Sequence, residues 1–269
     1  MYKLIISDLD ETLLQDDKHV SFKDKKAIDE LEGCRFAIAS GRGFVSIQEA
    51  LKEVGLYDRE NSYSISLNGA VITENKNNRI ISCVPLTYAE ADRLFSIAVD
   101  LDLCTHIYTP YQTYVYRLSQ AEKIYVNGRI ELTELEKPDL SFLKGEDIIK
   151  ILYVDPDMEE LKALRKRLDL EDLFSVTMSA NRYLEFNHKG TDKGKGLRRL
   201  CDLLNIDISE TIAVGDSLND KEMLEAAGLS VCVANAVDEI RQICDVILKS
   251  DNNHSPISEV IDRFIKTGD

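Results

Sequence analysis

Residues 4–14 read LIISDLDETLL. A short run of strand character, Leu4 to Ser7, passes directly into two carboxylates placed two apart, Asp8 and Asp10, with a hydroxyl at Thr12. Parallel strands buried on both faces read as near-continuous apolar runs, and this one fits that description. Such a strand does not ordinarily finish in charge, because a desolvated carboxylate is costly unless something neutralises it. A counter-ion at the carboxyl end of the first strand is implied.

The chain that follows repeats the same grammar. SFKDKKAIDELE, from Ser21, is amphipathic; CRFAIAS is a second short strand; GFVSIQEALKEVG is helical and closes on Gly55; SYSISLNG is a third strand. Short apolar strands alternating with helices predict a parallel α/β sheet. VITENKNNRIISC, with Asn77 and Asn78 at its centre, predicts a hairpin. After Pro85 the texture changes. TYAEADRLFSIAVD carries a capping-box pattern, Thr87 with Glu90, and leads to aromatic strands around THIYTPYQTYVYR and then a loop-rich middle. IIKILYVD, a helix from Met158 to Leu168, and the strands FSVTMSA and RYLEFNH complete this part. Strands outnumber helices here, and antiparallel pairing is expected. From Thr191 the first texture returns: the helix DKGKGLRRLCDLLN, the strand TIAVGD, the helix NDKEMLEAAG stopped by Gly228, the strand LSVCVAN, a helix near Val237, DVILK, and a last helix to Ile265. The expected architecture is an α/β core with a Rossmann-like parallel sheet, formed by residues 1–83 and 188–269 and interrupted by an inserted α+β domain at 84–187. No internal repeat or low-complexity tract interrupts this pattern.

Composition bounds the partners. The 269 residues are 44% hydrophobic and 30% charged, enough for a sizeable core under a soluble surface. A formal charge of −15 repels phosphate backbones and anionic membranes, so neither nucleic acid nor a membrane is an expected partner. The N-terminal apolar run meets Asp8 too soon for a leader, no later run reaches spanning length, and a cytoplasmic location is expected. Six cysteines lie far apart with no C-x-x-C pair, which reads as reduced core thiols.

In an open parallel sheet, ligands bind beyond the carboxyl ends of the strands, where chain order reverses. Here those ends carry Asp8 and Asp10, then Ser40-Gly41-Arg42, then Asn68-Gly69, and, past the insertion, Gly215-Asp216-Ser217-Leu218-Asn219-Asp220. If the second and third strands spread to one side of the first and TIAVGD lies on the other, Asp8, Asp10 and Asp216 converge. Three close carboxylates need a cation, and an all-oxygen donor set without clustered His or thiolates suits the hard ion Mg²⁺.

DLDETLL, the serine of IASGR, the lysine of TDKGKGL and the terminal GDSLND resemble the four motifs of the haloacid dehalogenase superfamily of aspartate-nucleophile phosphatases. The insert, with SLNGA and LEFNHKG, resembles the Cof-type sugar-phosphate phosphatases, and the likeness spans nearly the whole chain. That resemblance implies Asp8 as nucleophile and Asp10 as acid and then base. It implies a Mg²⁺ held by the Asp8 and Asp216 side chains and the Asp10 carbonyl, with Asp220 supporting the metal shell or Lys193. Ser40, with amides near Leu9 and Gly41, would bind the phosphoryl oxygens, Lys193 would neutralise their charge, Asn219 would contact the phosphate, and Thr12 would hold the loop. Arg42 and Asn68 stand at the same edge as candidate substrate contacts. The insert would act as a lid. One departure is Glu11, where the family commonly has glycine.

Each feature also has a purely structural reading. Ser40-Gly41-Arg42 alone is a strand-to-helix turn, Asn68-Gly69 a turn, and Lys193 with Lys189, Lys195, Arg198 and Arg199 a solvated basic face. His106, Tyr108, Tyr111, Tyr114 and Arg117 could line a sugar-sized pocket or form an aromatic ladder within a sheet. His188 receives no catalytic role. The expected function is hydrolysis of small phosphorylated metabolites; a phosphomutase on the same scaffold and a non-catalytic phosphometabolite-binding regulator are the alternatives, and the oligomeric state is open.

Overall fold

The structure, a computed structural model, describes residues 1–128 and 130–266. The chain folds as two units, one formed by Met1–Ser82 and Asp192–Asp269 and the other by Cys83–Thr191.

The first unit opens with β1 (Leu4–Ser7), α1 (Phe22–Asp29), β2 (Arg35–Ala39), α2 (Phe44–Glu53), β3 (Tyr63–Ser66), β4 (Val71–Glu74) and β5 (Arg79–Cys83). The second unit comprises α3 (Tyr88–Asp100), β6 (Cys104–Tyr108), β7 (Thr113–Tyr116), α4 (Gln120–Val126), β8 (Leu132–Leu135), β9 (Lys150–Val154), α5 (Met158–Leu168), β10 (Phe174–Ser179) and β11 (Tyr183–His188). The chain then returns to the first unit with α6 (Lys193–Leu204), β12 (Thr211–Gly215), α7 (Lys221–Ala226), β13 (Leu229–Cys232), α8 (Asp238–Arg241), β14 (Val246–Ile247) and α9 (Pro256–Ile261).

The eight strands of the first unit lie in the order β14-β13-β12-β1-β2-β3-β4-β5. β1 sits in the middle, parallel to β12 on one side (Ile5 opposite Ile212) and to β2 on the other (Ile5 opposite Phe36). Chain order reverses there, so the carboxyl end of β1 is the switch point. The strands are apolar because both faces are covered: Ile5, Ile6, Ile38, Ile212 and Val214 are fully buried among Ile47 and Leu51 of α2, Leu197 and Leu200 of α6, and Ile257 and Ile261 of α9. Each such side chain removed from water contributes about 1.5–3 kcal/mol, which fixes the sheet and with it the strand ends. One pairing was not among the expected ones. β3 and β4 pair antiparallel through the turn Leu67–Ala70, where Gly69 has φ +91° and a side chain would bring Cβ within 2.0 Å of the Asp192 carbonyl. Only glycine admits this approach of the turn to the start of α6. Ser21 caps α1 by accepting the Asp24 N–H, and the buried Asp24 carboxylate accepts the Ser258 N–H at 2.7 Å, tying α1 to α9.

The second unit is a six-stranded sheet ordered β10-β11-β9-β6-β7-β8, antiparallel except for the β7–β8 pair. Ile107, Ile151, Tyr153, Leu184 and Phe186 pack with Leu94 and Phe95 of α3 and Leu161 of α5. The Thr87–Glu90 capping box forms as expected at the start of α3. The stretch expected to be loop contains α4. Its seven residues bury only Glu122 and Val126, too few to write an apolar stripe into the sequence. Polar groups pair in its interior: Lys150 of β9 with Glu185 of β11 at 2.9 Å, and Glu122 of α4 with Arg182 at 3.0 Å, Glu122 also accepting the Tyr183 hydroxyl at 2.7 Å. Burial, followed by the charges of Lys150 and Arg182, pushes His106 down to about 3, so it is neutral. The five residues read as pocket or ladder therefore divide. His106 and Tyr108 are buried in the strand, Tyr111 is exposed, Tyr114 packs edge-on to Phe142, and Arg117 pairs with Asp102 at 2.6 Å. His188 ends β11 and bonds the Lys189 carbonyl.

No helix among the described residues is long and apolar enough to cross a membrane.

Candidate active site

Asp8 follows β1 directly, and its N–H continues the parallel ladder by donating to the Val214 carbonyl at 2.9 Å. The chain then makes one wide turn over Leu9–Leu13, closed by the Leu14 N–H on the Leu9 carbonyl at 2.8 Å. Within it Glu11 takes a left-handed conformation at φ 58°, while Leu9, Thr12 and Leu13 are buried. Thr12, held by that turn, donates to Asp216 Oδ1 at 2.6 Å and so joins the ends of the neighbouring strands β1 and β12.

After Asp216 a short 3₁₀ turn, Leu218–Asp220, brings Asp220 back beneath the end of β12. Asp220 Oδ2 accepts the N–H groups of Asp216 and Ser217, each at 3.1 Å. Gly215 is required there, because a Cβ would sit 2.7 Å from that of Asp220. Lys193 is the first residue of α6, whose cap Asp192 accepts the Lys195 N–H at 2.7 Å. Gly194 lets the helix start press against α7, where a Cβ would lie 2.2 Å from the Glu222 carbonyl. The Lys193 ammonium is fully buried and donates to Asp8 Oδ1 and, at 2.6 Å, to Asp220 Oδ1.

One carboxylate oxygen each from Asp8, Asp216 and Asp220 lie within 4.8 Å of one another. Burial, then the negative charge of Asp220, raises Asp8 well above the usual carboxylate range despite Lys193. Burial and Asp220 likewise push Asp216 up to about 7, opposed by the Thr12 hydrogen bond. Burial lowers Lys193, but the Asp220 and Asp8 carboxylates outweigh it and hold the ammonium charged. Three acids against one base leave the group under-neutralised. Lys193 takes one oxygen of Asp8 and Thr12 one oxygen of Asp216, so among the described residues the second oxygen of each can face a cation. An all-oxygen set of this charge fits a hard divalent ion.

The expected convergence of Asp8, Asp10 and Asp216 side chains is corrected in one member. Asp10, extended at ψ 132° within the wide turn, points its carboxylate at Arg42, whose Nε donates at 2.8 Å and whose Nη2 binds the other oxygen. Lys18 lies 3.8 Å away. Asp220 takes the third place among the acids. Arg42 accordingly stands at this edge as the partner of Asp10.

The remaining expected residues adjoin. The Ser40 N–H donates to the Ile65 carbonyl at the end of β3, and the buried Ser40 hydroxyl accepts the Arg42 N–H at 3.1 Å. Gly41 lies against Asn68, where a Cβ would be 2.9 Å from Oδ1. Asn68 donates its N–H to the Ser40 carbonyl at 3.0 Å and receives Asn219 Nδ2 at 3.5 Å. The four polar strand ends therefore do share one edge. Sequence reasoning had missed the Gly194 contact; its signal was the repeated glycine of KGKG at 193–196.

The sequence pattern of the haloacid dehalogenase-like hydrolases matches residues 5–261. The chain belongs to that family. A haloacid dehalogenase-like hydrolase of this type has relatives named for phosphate-ester hydrolysis. Phosphatase YwpJ of Bacillus subtilis (strain 168) is 28% identical over 288 residues, covering 94% of this chain and 96% of YwpJ. A phosphoglycolate phosphatase of Methanopyrus kandleri is 27% identical over 259 residues, covering 94% and 93%. The crystal structure of TM0651 from Thermotoga maritima superposes with a TM-score of 0.84 at 29% identity, covering 98% of this chain and 97% of that one. This member of the family is thus one of its phosphatases.

Proposed function

We propose that the chain is a Mg²⁺-dependent phosphatase of small phosphorylated metabolites, sugar phosphates foremost, acting through an aspartyl-phosphate on Asp8. The observation that carries the reading is the buried Lys193 ammonium, bonded to Asp8 and Asp220 beside Asp216. The substrate class is supported by the phosphoglycolate phosphatase among the relatives and by the Cof-type resemblance of the insert.

A divalent cation would be held by Asp8 and Asp216, with the Asp10 carbonyl and Asp220 in support, and would supply neutralisation of phosphoryl charge. The chain's own residues do the rest. The Asp8 carboxylate attacks phosphorus, and the bond to the ester oxygen breaks. Asp10 donates a proton to the departing alkoxide and then accepts one from the water that attacks the acyl phosphate, releasing phosphate and restoring Asp8. Lys193 fixes the Asp8 oxygen and balances charge. Ser40, with the amides of Leu9 and Gly41, and Asn219 bind the phosphoryl oxygens, and Asn68 and Arg42 border the same edge.

The test is Asp8→Asn, an isosteric change that removes the nucleophile. Hydrolysis of an aryl phosphate with Mg²⁺ should fall by at least about 10⁴-fold, as removal of a catalytic nucleophile does. Wild-type turnover by the variant would overturn the reading.

A further inference from the structure

The loop that carries Asp10 is gripped from outside by a strap that no motif covers. Asn235, in the turn after β13, donates Nδ2 to the Glu11 carbonyl at 2.8 Å, and its Oδ1 accepts the Asn252 N–H at 3.0 Å. Asn252, buried, donates Nδ2 to the Leu14 carbonyl at 3.1 Å and to Asp16 Oδ1 at 3.0 Å. Asn253 accepts the Asp16 N–H at 3.1 Å through its side chain and the Gln15 amide at 3.3 Å through its carbonyl. A carbonyl only accepts and an N–H only donates, so each end of the Asn235 amide is assigned by its partner.

The strap is itself fastened to the acidic cluster. The Val237 N–H donates to the Asp216 carbonyl at 2.9 Å, the Val233 N–H to the Gly215 carbonyl at 3.3 Å, and the Ala234 N–H to the Ser250 carbonyl at 3.0 Å. Arg241 closes the turn on the Ala234 carbonyl at 2.6 Å. The segment that frames Asp216 thus reaches across to residue 11, between Asp10 and Thr12.

What Asn235 holds is a conformation that glutamate does not prefer. At φ 58° the Glu11 Cβ crowds its own carbonyl, a penalty that glycine would not incur and that one hydrogen bond can offset. Release of Glu11 to an ordinary φ would swing the peptide that follows Asp10 and redirect the Asp10 carboxylate. We propose that Asn235 and Asn252 are positioning residues that lock Glu11 left-handed and thereby hold Asp10 in its place against Arg42, from which it serves the departing ester oxygen. The inference rests on the phosphatase reading and adds to it the residues that place the acid.

A positioning role for the acid has a signature that general destabilisation lacks. Alkoxides need a proton to leave, whereas activated phenolates do not. Asn235 is exposed, so Asn235→Ala should fold. In single-turnover kinetics it should slow phosphorylation by an alkyl phosphate about 10- to 100-fold, within the range that general acids contribute, and leave first-turnover release of p-nitrophenolate from p-nitrophenyl phosphate nearly unchanged. Asn235→Asp keeps the acceptor for Asn252 and loses the donor to Glu11, and should behave as the alanine variant does. Asp10→Asn is the benchmark for the same leaving-group dependence. Amide exchange read in parallel should quicken over residues 9–14 in both Asn235 variants and stay unchanged over β3. Equal losses of that first-turnover rate on both esters, or unchanged exchange over 9–14, overturn the inference. If Asp8→Asn still hydrolyses, or Asp10→Asn shows no leaving-group dependence, the phosphatase mechanism is at fault, and the exchange result alone then decides whether the strap holds the loop.

Discussion

Lys193→Met preserves the length and apolar stem of the side chain and deletes its charge. In the folded chain the ammonium is fully buried and bonded to Asp8 and Asp220. Two charge-assisted hydrogen bonds at about 1.5–3 kcal/mol each set an upper range of roughly 3–6 kcal/mol. Removing one partner of a buried ionic group costs about 3–5 kcal/mol by itself. Asp8, already pushed toward protonation by burial, can take up a proton and recover part of this. The expected loss is therefore about 3 kcal/mol, a large share of a typical domain stability of about 5–15 kcal/mol. The chain has no tryptophan, so urea unfolding is followed by far-UV circular dichroism, with a chelator present. Segment-resolved amide exchange assigns the loss to the unit holding β1 and β12. Saturating Mg²⁺ should narrow the gap between variant and wild type, because a cation that binds the folded form stabilises it in proportion to its affinity. A loss below about 1 kcal/mol, or a loss confined to residues 83–191, would refute the reasoning that Lys193 neutralises a strained acidic cluster.

Thr12→Val deletes the hydroxyl bonded to Asp216 at 2.6 Å and leaves a buried oxygen unpaired, which should lower stability by about 1–3 kcal/mol. Calorimetric titration should also show altered Mg²⁺ affinity, and an unchanged titration would separate Thr12 from the metal site. Asp24 gives a pH test on a carboxyl outside the acidic cluster: burial raises it to about 6, against hydrogen bonds from Ser258 and Ser21. Between its ordinary value near 3.8 and about 6 the folded chain holds a proton that the unfolded chain has released, so this group lowers stability as pH rises. The span is about 3 kcal/mol from roughly two pH units. Asp24→Asn removes it, so the variant should gain about that much on wild type between pH 4 and pH 7 in urea unfolding, and a pH-independent difference would refute the assignment.

The parts of this molecule that the sequence disclosed are those written in periodic or end-of-strand signals. LIIS and TIAV are unbroken apolar runs because β1 and β12 are covered on both faces, and the polar residues after them fall at one edge because parallel strands point the same way. The direction of individual side chains was not written there. Asp10 turns to Arg42 rather than into the cluster because of the dihedral sequence of one wide turn, Asp10 extended and Glu11 left-handed. Asp220 enters the cluster because the Leu218–Asp220 turn folds it back onto the amides of residues 216 and 217. α4 was missed because a helix of seven residues with two buried positions carries no readable stripe. The antiparallel β3–β4 pair was hidden for a different reason: SLNGA reads equally as the end of a parallel strand and as a tight hairpin, and the close approach of Gly69 to Asp192 is visible only in three dimensions. The Asn235–Asn252 strap joins residues more than 200 positions from the loop they hold, a separation at which one sequence gives no pairing signal.

The most direct test of the central claim is to look for phosphate on Asp8. Asp10→Asn, which should slow release more than attack, is mixed with p-nitrophenyl phosphate and Mg²⁺, quenched in acid within the first turnover, and digested for mass spectrometry. The account predicts that the peptide containing residues 4–14 gains the mass of one phosphoryl group at Asp8, and that Asp8→Asn abolishes it. A chain that turns over substrate while Asp8 stays unmodified, or that carries the phosphoryl group on another residue, would contradict it.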